Sequence, residues 1–138
     1  MRTAVDTSVL LDVFGADQNF GRRSSSALRR CLGEGSLLAC EVVWAEIGAF
    51  FPSAAGARET MQRLGVEFSP SLLETTLAAG KAWKEYRSRG GSRKRIVSDF
   101  LIASHALNQA DRLLTRDRGF YRSNFQQLPV LDSSQTQE

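Results

Sequence analysis

The segment AVDTSVLLD, residues 4–12, joins the end of a strand to the start of a helix. Two apolar residues, Ala4 and Val5, are followed by the polar cluster Asp6-Thr7-Ser8, and apolar residues resume directly afterwards. This order is typical of a short buried strand that leads into the first turn of a helix. A polar side chain at such a junction lies at the carboxyl end of its strand, where ligands bind in parallel α/β sheets.

The same alternation of short apolar strands and amphipathic helices continues along the chain. Further strands are predicted at 37–40, 66–68, 113–115 and 128–131, the last at a sheet edge because Pro129 cannot donate to a ladder. Helices are predicted at 8–14, 22–32, 41–51, 53–64, 69–87 and 98–110. We therefore expect an α/β fold in which a mainly parallel sheet is covered by helices on both faces.

Length and composition indicate a single globular domain. The chain has 138 residues, and we expect one domain over 1–131 and a polar tail at 132–138 that frays. No apolar run is long enough to span a bilayer, and the amino terminus does not resemble a secretory signal. With two cysteines and one histidine there is no disulfide framework or zinc set. These features favour a soluble cytoplasmic protein.

The basic residues are mostly arginine, 15 of 18, and the net charge is +3. Arginine grips phosphate through a planar fork of donors, so this bias favours a nucleic-acid partner. A genome rich in G and C produces the same bias without any function, and composition alone does not separate the two explanations.

Four carboxylates occupy unusual positions. Asp6 and Asp117 follow predicted strands, while Glu46 and Asp99 lie on the apolar faces of their predicted helices. An ionised carboxylate that faces a core is costly unless a cation compensates it, and only Arg95 lies near Asp99 in sequence. A divalent cation such as Mg²⁺ or Mn²⁺, which prefers oxygen ligands, is the simplest compensation.

Each carboxylate also has a structural explanation. Asp6 could cap the first helix, Asp99 could interact with its helix dipole, and Asp117 could shape a turn. Taken singly these explanations are the commoner ones, and Glu46 has the weakest. Four such residues near one edge of a sheet favour a metal site.

Four segments resemble, in order, the acidic motifs of PIN-domain ribonucleases, and the size resembles that of VapC-like toxins from toxin–antitoxin pairs. The segments are AVDTSVLLD at 4–12, WAEI at 44–47, SDFLIASHAL at 98–107 and LLTRDRGF at 113–120. The resemblance implies a three-layer α/β/α sandwich and RNA cleavage that depends on Mg²⁺ or Mn²⁺. It also implies that Asp6, Glu46, Asp99 and Asp117 are the catalytic metal ligands, and that the hydroxyls of Thr7, Ser8 and Thr115 help to order the site.

The resemblance further implies a cognate antitoxin protein and a homodimer. Excluding the four carboxylates raises the net charge from +3 to +7, so the surroundings of the site are basic. Phosphate-binding candidates on either side of the acidic motifs are Arg93, Arg95, Arg116 and Arg118. The alternative function is a non-catalytic RNA- or partner-binding module of the same fold.

Overall fold

The computed structural model describes residues 1–135. Over these residues, five strands alternate with seven α-helices. In chain order they are β1 Arg2–Val5, α1 Thr7–Phe14, α2 Gly21–Glu34, β2 Ser36–Ala39, α3 Glu41–Phe50, α4 Ala54–Leu64, β3 Val66–Phe68, α5 Leu73–Ser88, α6 Val97–Gln109, β4 Arg112–Thr115, α7 Arg118–Asn124 and β5 Val130–Asp132, followed by a 3₁₀ turn at Ser133–Gln135.

The strands form one sheet in the order β3-β2-β1-β4-β5, and every neighbouring pair is parallel. Ala4 in the central strand pairs with Leu38 on one side and with Leu113 on the other. The predicted parallel sheet and the edge position of the last strand are therefore confirmed. Because the chain builds outward from β1 in both directions, the carboxyl ends of β1 and β4 form a topological switch point.

The helices cover both faces of the sheet. Right-handed crossovers place α1 to α4 on one face and α5 to α7 on the other. On the second face an aromatic cluster of Tyr86, Phe100 and Phe120 joins α5, α6 and α7, with ring centres 5.3 to 6.1 Å apart. The central strands are buried on both sides and mostly apolar, as is typical of strands covered on both faces. The structure is the expected three-layer α/β/α sandwich.

Helix α7 was not among the predicted helices. It has only seven residues, and its two buried side chains, Phe120 and Tyr121, are adjacent in sequence. Two neighbouring apolar residues do not repeat at the helical period, so the pattern on which helix prediction depends is missing. Packing of Phe120 against α5 and α6 stabilises this short helix instead.

The segment after Leu131, which the sequence predicts to fray, is structured as far as Gln135. Asp132 belongs to β5, and Ser133 is buried with its hydroxyl 3.4 Å from that of Ser24 on α2. Arg23 also donates a hydrogen bond of 3.0 Å to the carbonyl of Ser134. The rest of the predicted tail, 136–138, lies outside the described residues. Among residues 1–135 no helix is both long and apolar enough to cross a bilayer.

Two glycines near the end of α2 differ in the space around them. A Cβ atom on Gly35 would overlap the carbonyl of Met1, the same carbonyl that accepts the Ser36 N–H at 2.9 Å. A Cβ atom on Gly33 would meet nothing within 4 Å. The chain thus needs glycine at position 35 but not at position 33.

We therefore predict opposite effects from two alanine substitutions. Gly35→Ala lowers the free energy of unfolding by about 2 kcal/mol or more, because the start of β1 must move away from β2. Gly33→Ala raises it by up to about 1 kcal/mol, because alanine loses less entropy in a helix. Urea unfolding of both variants and of the wild type measures these differences. An equal effect of the two substitutions would contradict the close approach of β1 to Gly35.

Candidate functional site

Asp6 lies at the switch point of the sheet and is buried, with 7% of its surface exposed. Its N–H donates to the Leu114 carbonyl at 2.9 Å, which fixes it beside the end of β4. Its Oδ2 accepts hydrogen bonds from the Thr115 hydroxyl at 2.7 Å and from the Tyr121 hydroxyl at 3.1 Å. Two distant parts of the chain, β4 and α7, therefore hold this residue in place.

Burial disfavours the charge on Asp6. It raises the pKa of this carboxyl from 3.8 to about 6, although the hydrogen bonds from Thr115 and Tyr121 oppose the rise. The negative charge of Asp117 raises the pKa slightly further. Burial, followed by the charge of Asp6, also holds the pKa of Tyr121 well above its usual range. The side-chain hydrogen bonds to Asp6 come from neutral hydroxyls, so this charge is solvated but not neutralised.

One arginine of the same chain pairs with both Asp99 and Asp117 and so compensates one of their two negative charges. Arg95 Nη1 lies 2.6 Å from Asp117 Oδ2 and 3.8 Å from Asp99 Oδ1. The guanidinium also lies 4.2 Å from the centre of the Phe120 ring, a cation–π distance. Asp99 Oδ2 accepts the Ile96 N–H at 3.0 Å, so this carboxylate also caps the first turn of α6. Asp99 therefore caps its own helix and also shares an arginine with Asp117.

Glu46 does not face the core, which corrects the expectation from helical spacing. It is exposed, and its Oε1 accepts a hydrogen bond of 2.7 Å from the Thr7 hydroxyl. Helix α3 buries only Val43 and Ile47, while Phe50 at its end is 48% exposed. Apolar residues therefore cover a wider part of the circumference of this helix than the part that is buried. Since Thr7 follows Asp6 directly, Glu46 still lies next to the site.

The three predicted hydroxyls have different surroundings. Thr115 links two carboxylate residues, because its hydroxyl donates to Asp6 and accepts the Asp117 N–H at 2.9 Å. Thr7 orients Glu46, as described above. Ser8 Oγ is buried and has no hydrogen-bond partner within residues 1–135.

The four carboxylates lie at one edge of the sheet without forming a coordination sphere. Across the described residues, no three Asp, Glu, His or Cys side chains converge closely enough to hold a metal ion. The donor atoms are carboxylate oxygens, which fit Mg²⁺ or Mn²⁺, and the charge of Asp6 has no cation beside it. The positive charge next to Asp99 and Asp117 is the guanidinium of Arg95, and Glu46 accepts a hydrogen bond from Thr7.

A protein-family model identifies the fold. The model described as PIN domain matches residues 3–126, which is nearly the whole chain. This chain belongs to the PIN domain family. No curated protein sequence matches it.

Solved structures of similar fold include three bacterial complexes. The PIN domain shares 16% identity and a TM-score of 0.74 with a chain from VapBC2 of Rickettsia felis bound to promoter DNA, covering 96% of this chain and 98% of that one. It shares 17% identity and a TM-score of 0.74 with a chain of VapBC-1 from nontypeable Haemophilus influenzae, with coverage of 98% and 100%. A chain of a toxin–antitoxin complex from Klebsiella pneumoniae gives 18% identity and a TM-score of 0.64, with coverage of 95% and 97%. These values show a common fold.

Three of the four arginines predicted to bind phosphate are paired with carboxylates in the PIN domain. Arg95 contacts Asp117, and Arg118 Nε lies 3.7 Å from Asp132 Oδ2. Arg116 donates two hydrogen bonds to Asp12, of 2.9 and 3.1 Å. Arg93 is exposed and makes no ion pair or hydrogen bond within the described residues.

Sequence reasoning missed two residues that shape the site. Tyr121 donates to Asp6, but it lies on the unpredicted α7. Asp12 is 3% exposed and binds both Arg116 and the Ser24 hydroxyl, at 2.9 Å. The available signal for Asp12 was a carboxylate within an otherwise apolar helix face, the same signal that singled out Asp99.

His105 is buried, with 1% of its surface exposed, and its Nε2 lies 3.0 Å from Ser69 Oγ. Helical spacing alone puts this residue on the side of α6 opposite Asp99, which predicts a surface side chain, so that prediction is wrong. Helix α6 packs against α5 as well as against the sheet, so two of its sides are buried. Burial lowers the pKa of this imidazole.

We predict that Asp6→Asn stabilises the PIN domain in a way that depends on pH. The pKa of Asp6 is about 6 when folded and 3.8 as a free group, so ionisation costs stability as pH rises through this interval. Asparagine stays neutral and still accepts hydrogen bonds. Without divalent metal, the variant should exceed the wild type in free energy of unfolding by about 1–3 kcal/mol at pH 7.5.

Urea unfolding of the two proteins between about pH 3 and pH 8 tests this prediction. The difference in free energy of unfolding should shrink toward zero below pH 4, where Asp6 is protonated in both states. A difference that does not change with pH would show that the buried charge of Asp6 carries no such cost.

Proposed function

We propose that this PIN domain is a metal-dependent endoribonuclease that cleaves phosphodiester bonds of RNA, acting as a VapC-like toxin. The observation that carries the proposal is the buried Asp6 carboxylate at the switch point, with Asp99 and Asp117 next to it and Glu46 linked through Thr7. A carboxylate in this position is costly for folding, and a cation-dependent reaction on a phosphate gives it a use.

The ligands proposed for Mg²⁺ or Mn²⁺ are the four carboxylates, Asp6, Glu46, Asp99 and Asp117. When bound, such an ion polarises a phosphate oxygen and lowers the pKa of a bound water. Thr115 and Tyr121 hold Asp6 in a fixed orientation, so that little reorganisation is needed during the reaction. Asp99 or Asp117, once released from Arg95, is placed to orient a water and accept its proton.

The proposed partners are a cognate antitoxin and a second copy of the chain. Support for an antitoxin comes from the solved structures of similar fold, which include VapBC complexes and one called a toxin–antitoxin complex. An antitoxin could silence the enzyme by covering the acidic edge of the sheet. The homodimer rests on the family resemblance.

One observation favours a second candidate, a non-catalytic RNA- or partner-binding module. Arg95 already pairs with two of the four carboxylates, and the described side chains do not converge as a metal site. A protein without turnover would keep Arg95 in that position permanently.

The first prediction of the nuclease proposal concerns RNA cleavage and Asp99. Purified protein is incubated with single-stranded and structured RNAs in Mg²⁺, Mn²⁺ or EDTA. We expect cleavage only with metal, and a loss of about 100-fold or more in Asp99→Asn, which keeps the side-chain shape but removes a ligand charge. The matched control is Asp111→Asn, the same chemical change at the residue that accepts the Arg2 N–H at the start of β1.

The outcomes separate the candidates. Failure of the folded wild type to cleave any RNA with either metal would support the non-catalytic module. Equal cleavage by wild type and Asp99→Asn would mean that the active site lies elsewhere or that another nuclease is present.

The second prediction concerns competition between metal and Arg95. If the ion binds Asp99 and Asp117, it must displace the guanidinium, so removing that guanidinium strengthens metal binding. We expect Arg95→Gln to bind Mn²⁺ about three- to tenfold more tightly than the wild type in isothermal titration calorimetry. The matched control is Arg93→Gln. It removes the same charge two residues before Arg95, from a side chain that has no carboxylate partner within the described residues.

Weaker or unchanged Mn²⁺ binding by Arg95→Gln would contradict displacement of this arginine. A gain of equal size in Arg93→Gln would show that only the overall charge of the segment matters.

A further inference from the structure

A polar groove runs along α2, beside the acidic site. One concavity, of about 490 Å³, extends from Asp12 past Asn19 to the first turn of α2. A second, of about 360 Å³, follows the next two turns of the helix. The two are continuous because both include Arg22 and Ser25, and together they form the α2 groove. On the helix it is lined by Gly21, Arg22, Arg23, Ser25, Ser26 and Arg29. Four of these residues, Arg22, Ser25, Ser26 and Arg29, follow one another at helical intervals.

These four residues form a donor-rich stripe. Their spacing of three, four and seven positions puts them on one face of the helix, with about 10 Å between the first and the last Cα atom. Arg22 and Arg29 are exposed, and neither forms an ion pair or hydrogen bond with another residue of 1–135. In contrast, Arg23 and Arg30 of the same helix contact Ser134 and Glu34.

The acidic residues of the groove do not cancel this positive charge. Asp12 is already paired with Arg116 through two hydrogen bonds. Asp17 accepts the N–H groups of Asn19 and Phe20, at 2.9 and 2.8 Å, and so orders the turn before α2. The two unpaired arginines leave the stripe positively charged.

The groove is joined to the acidic site through Arg116. This residue binds Asp12 in the groove, and its guanidinium lies 4.3 Å from the centre of the Phe20 ring at the start of α2. Asp117 is its neighbour in the chain. A polymer that leaves the acidic site next to Asp117 therefore meets the amino-terminal end of the groove.

We propose that the α2 groove binds the sugar–phosphate backbone of an RNA strand whose neighbouring part lies in the acidic site. The inference rests on the proposed function and deepens it. Arg22 and Arg29 contact separate phosphates, and the hydroxyls of Ser25 and Ser26 bond the backbone between them. Such contacts hold a strand without reading its sequence.

The lining of the groove favours RNA over a protein segment. Peptide partners need apolar anchors, and none of the exposed large apolar side chains of residues 1–135 lines the groove, although one of them, Leu32, lies on the same helix three positions after Arg29. The residues along the groove offer arginine, serine and amide donors instead. This chemistry complements a polyanion with many acceptor oxygens.

The test measures RNA binding separately from cleavage. Fluorescence anisotropy with a labelled single-stranded RNA is recorded on the Asp99→Asn protein, which leaves the probe intact, at several salt concentrations. The groove variant adds Arg22→Ala and Arg29→Ala, and the control adds Arg58→Ala and Arg63→Ala on α4, an equal change of charge at exposed arginines. Thermal unfolding of all three proteins confirms that they are folded.

We expect the groove variant to bind RNA at least about tenfold more weakly at 0.1 M salt. The slope of the logarithm of the association constant against the logarithm of the salt concentration is negative, and its magnitude should decrease by about 1.4. This is the value for two lost phosphate contacts to a single strand. The α4 control should change affinity by less than about twofold.

Unchanged RNA affinity in the groove variant, or an equal loss in the α4 control, would overturn the inference. Tighter binding of an acidic peptide than of RNA, with the same dependence on Arg22 and Arg29, would also overturn it in favour of a protein partner. Groove-dependent RNA binding by a wild type that cleaves no RNA would refute the nuclease and leave the groove standing. Metal-dependent cleavage by a protein whose RNA affinity does not depend on Arg22 and Arg29 would support the nuclease and overturn the groove.

Discussion

Burial of the Asp6 carboxylate between the ends of β1 and β4 is the constraint around which the rest of the site is built. The charge has little access to water, and burial raises its pKa to about 6. Two hydroxyls, from Thr115 on β4 and Tyr121 on α7, provide the hydrogen bonds that a buried carboxylate needs. The short helix α7 therefore has a role beyond packing, because it brings one of these donors to the switch point. The same placement concentrates negative charge, since the charges of Asp99 and Asp117 also raise the pKa of Tyr121.

Arginine–carboxylate pairs surround this acidic centre. Arg95 bridges Asp99 and Asp117, Arg116 holds Asp12, and Arg118 lies against Asp132 at the end of β5. The pairs confine the negative charge and bring guanidinium groups to the place where a polyanion would approach. Arg22 and Arg29, which pair with no other residue of 1–135, lie further out, along α2. An acidic centre inside a basic periphery suits the proposed function, which requires carboxylates for a metal ion and a basic surface for RNA close to each other.

The sequence predicts most of the fold, but the site only in part. Strands and long helices follow from apolar runs and helical periodicity, and β3 agrees residue for residue with its prediction. The positions of Asp6 and Asp117 just after β1 and β4 follow from the sequence because strand ends are local features. Glu46 and His105 were misplaced because helical spacing shows which faces are apolar, while burial depends on how many neighbours a helix has. Helix α3 buries a narrow stripe, whereas α6 is covered on two sides. Helix α7 has no periodic signal at all.

Local sequence thus determined the strands, the longer helices, the α/β class and the position of each acidic residue relative to its strand or helix, because these depend on patterns within a few residues. Tertiary structure decided which groups meet. Thr115 reaches Asp6 across 109 positions of the chain, and Arg116 reaches Asp12 across 104, because β4 pairs with β1 in the sheet. Arg95 neutralises Asp117 only because the segment before α6 and the end of β4 come to the same edge. Such pairings depend on sheet order and helix packing, which no single segment encodes.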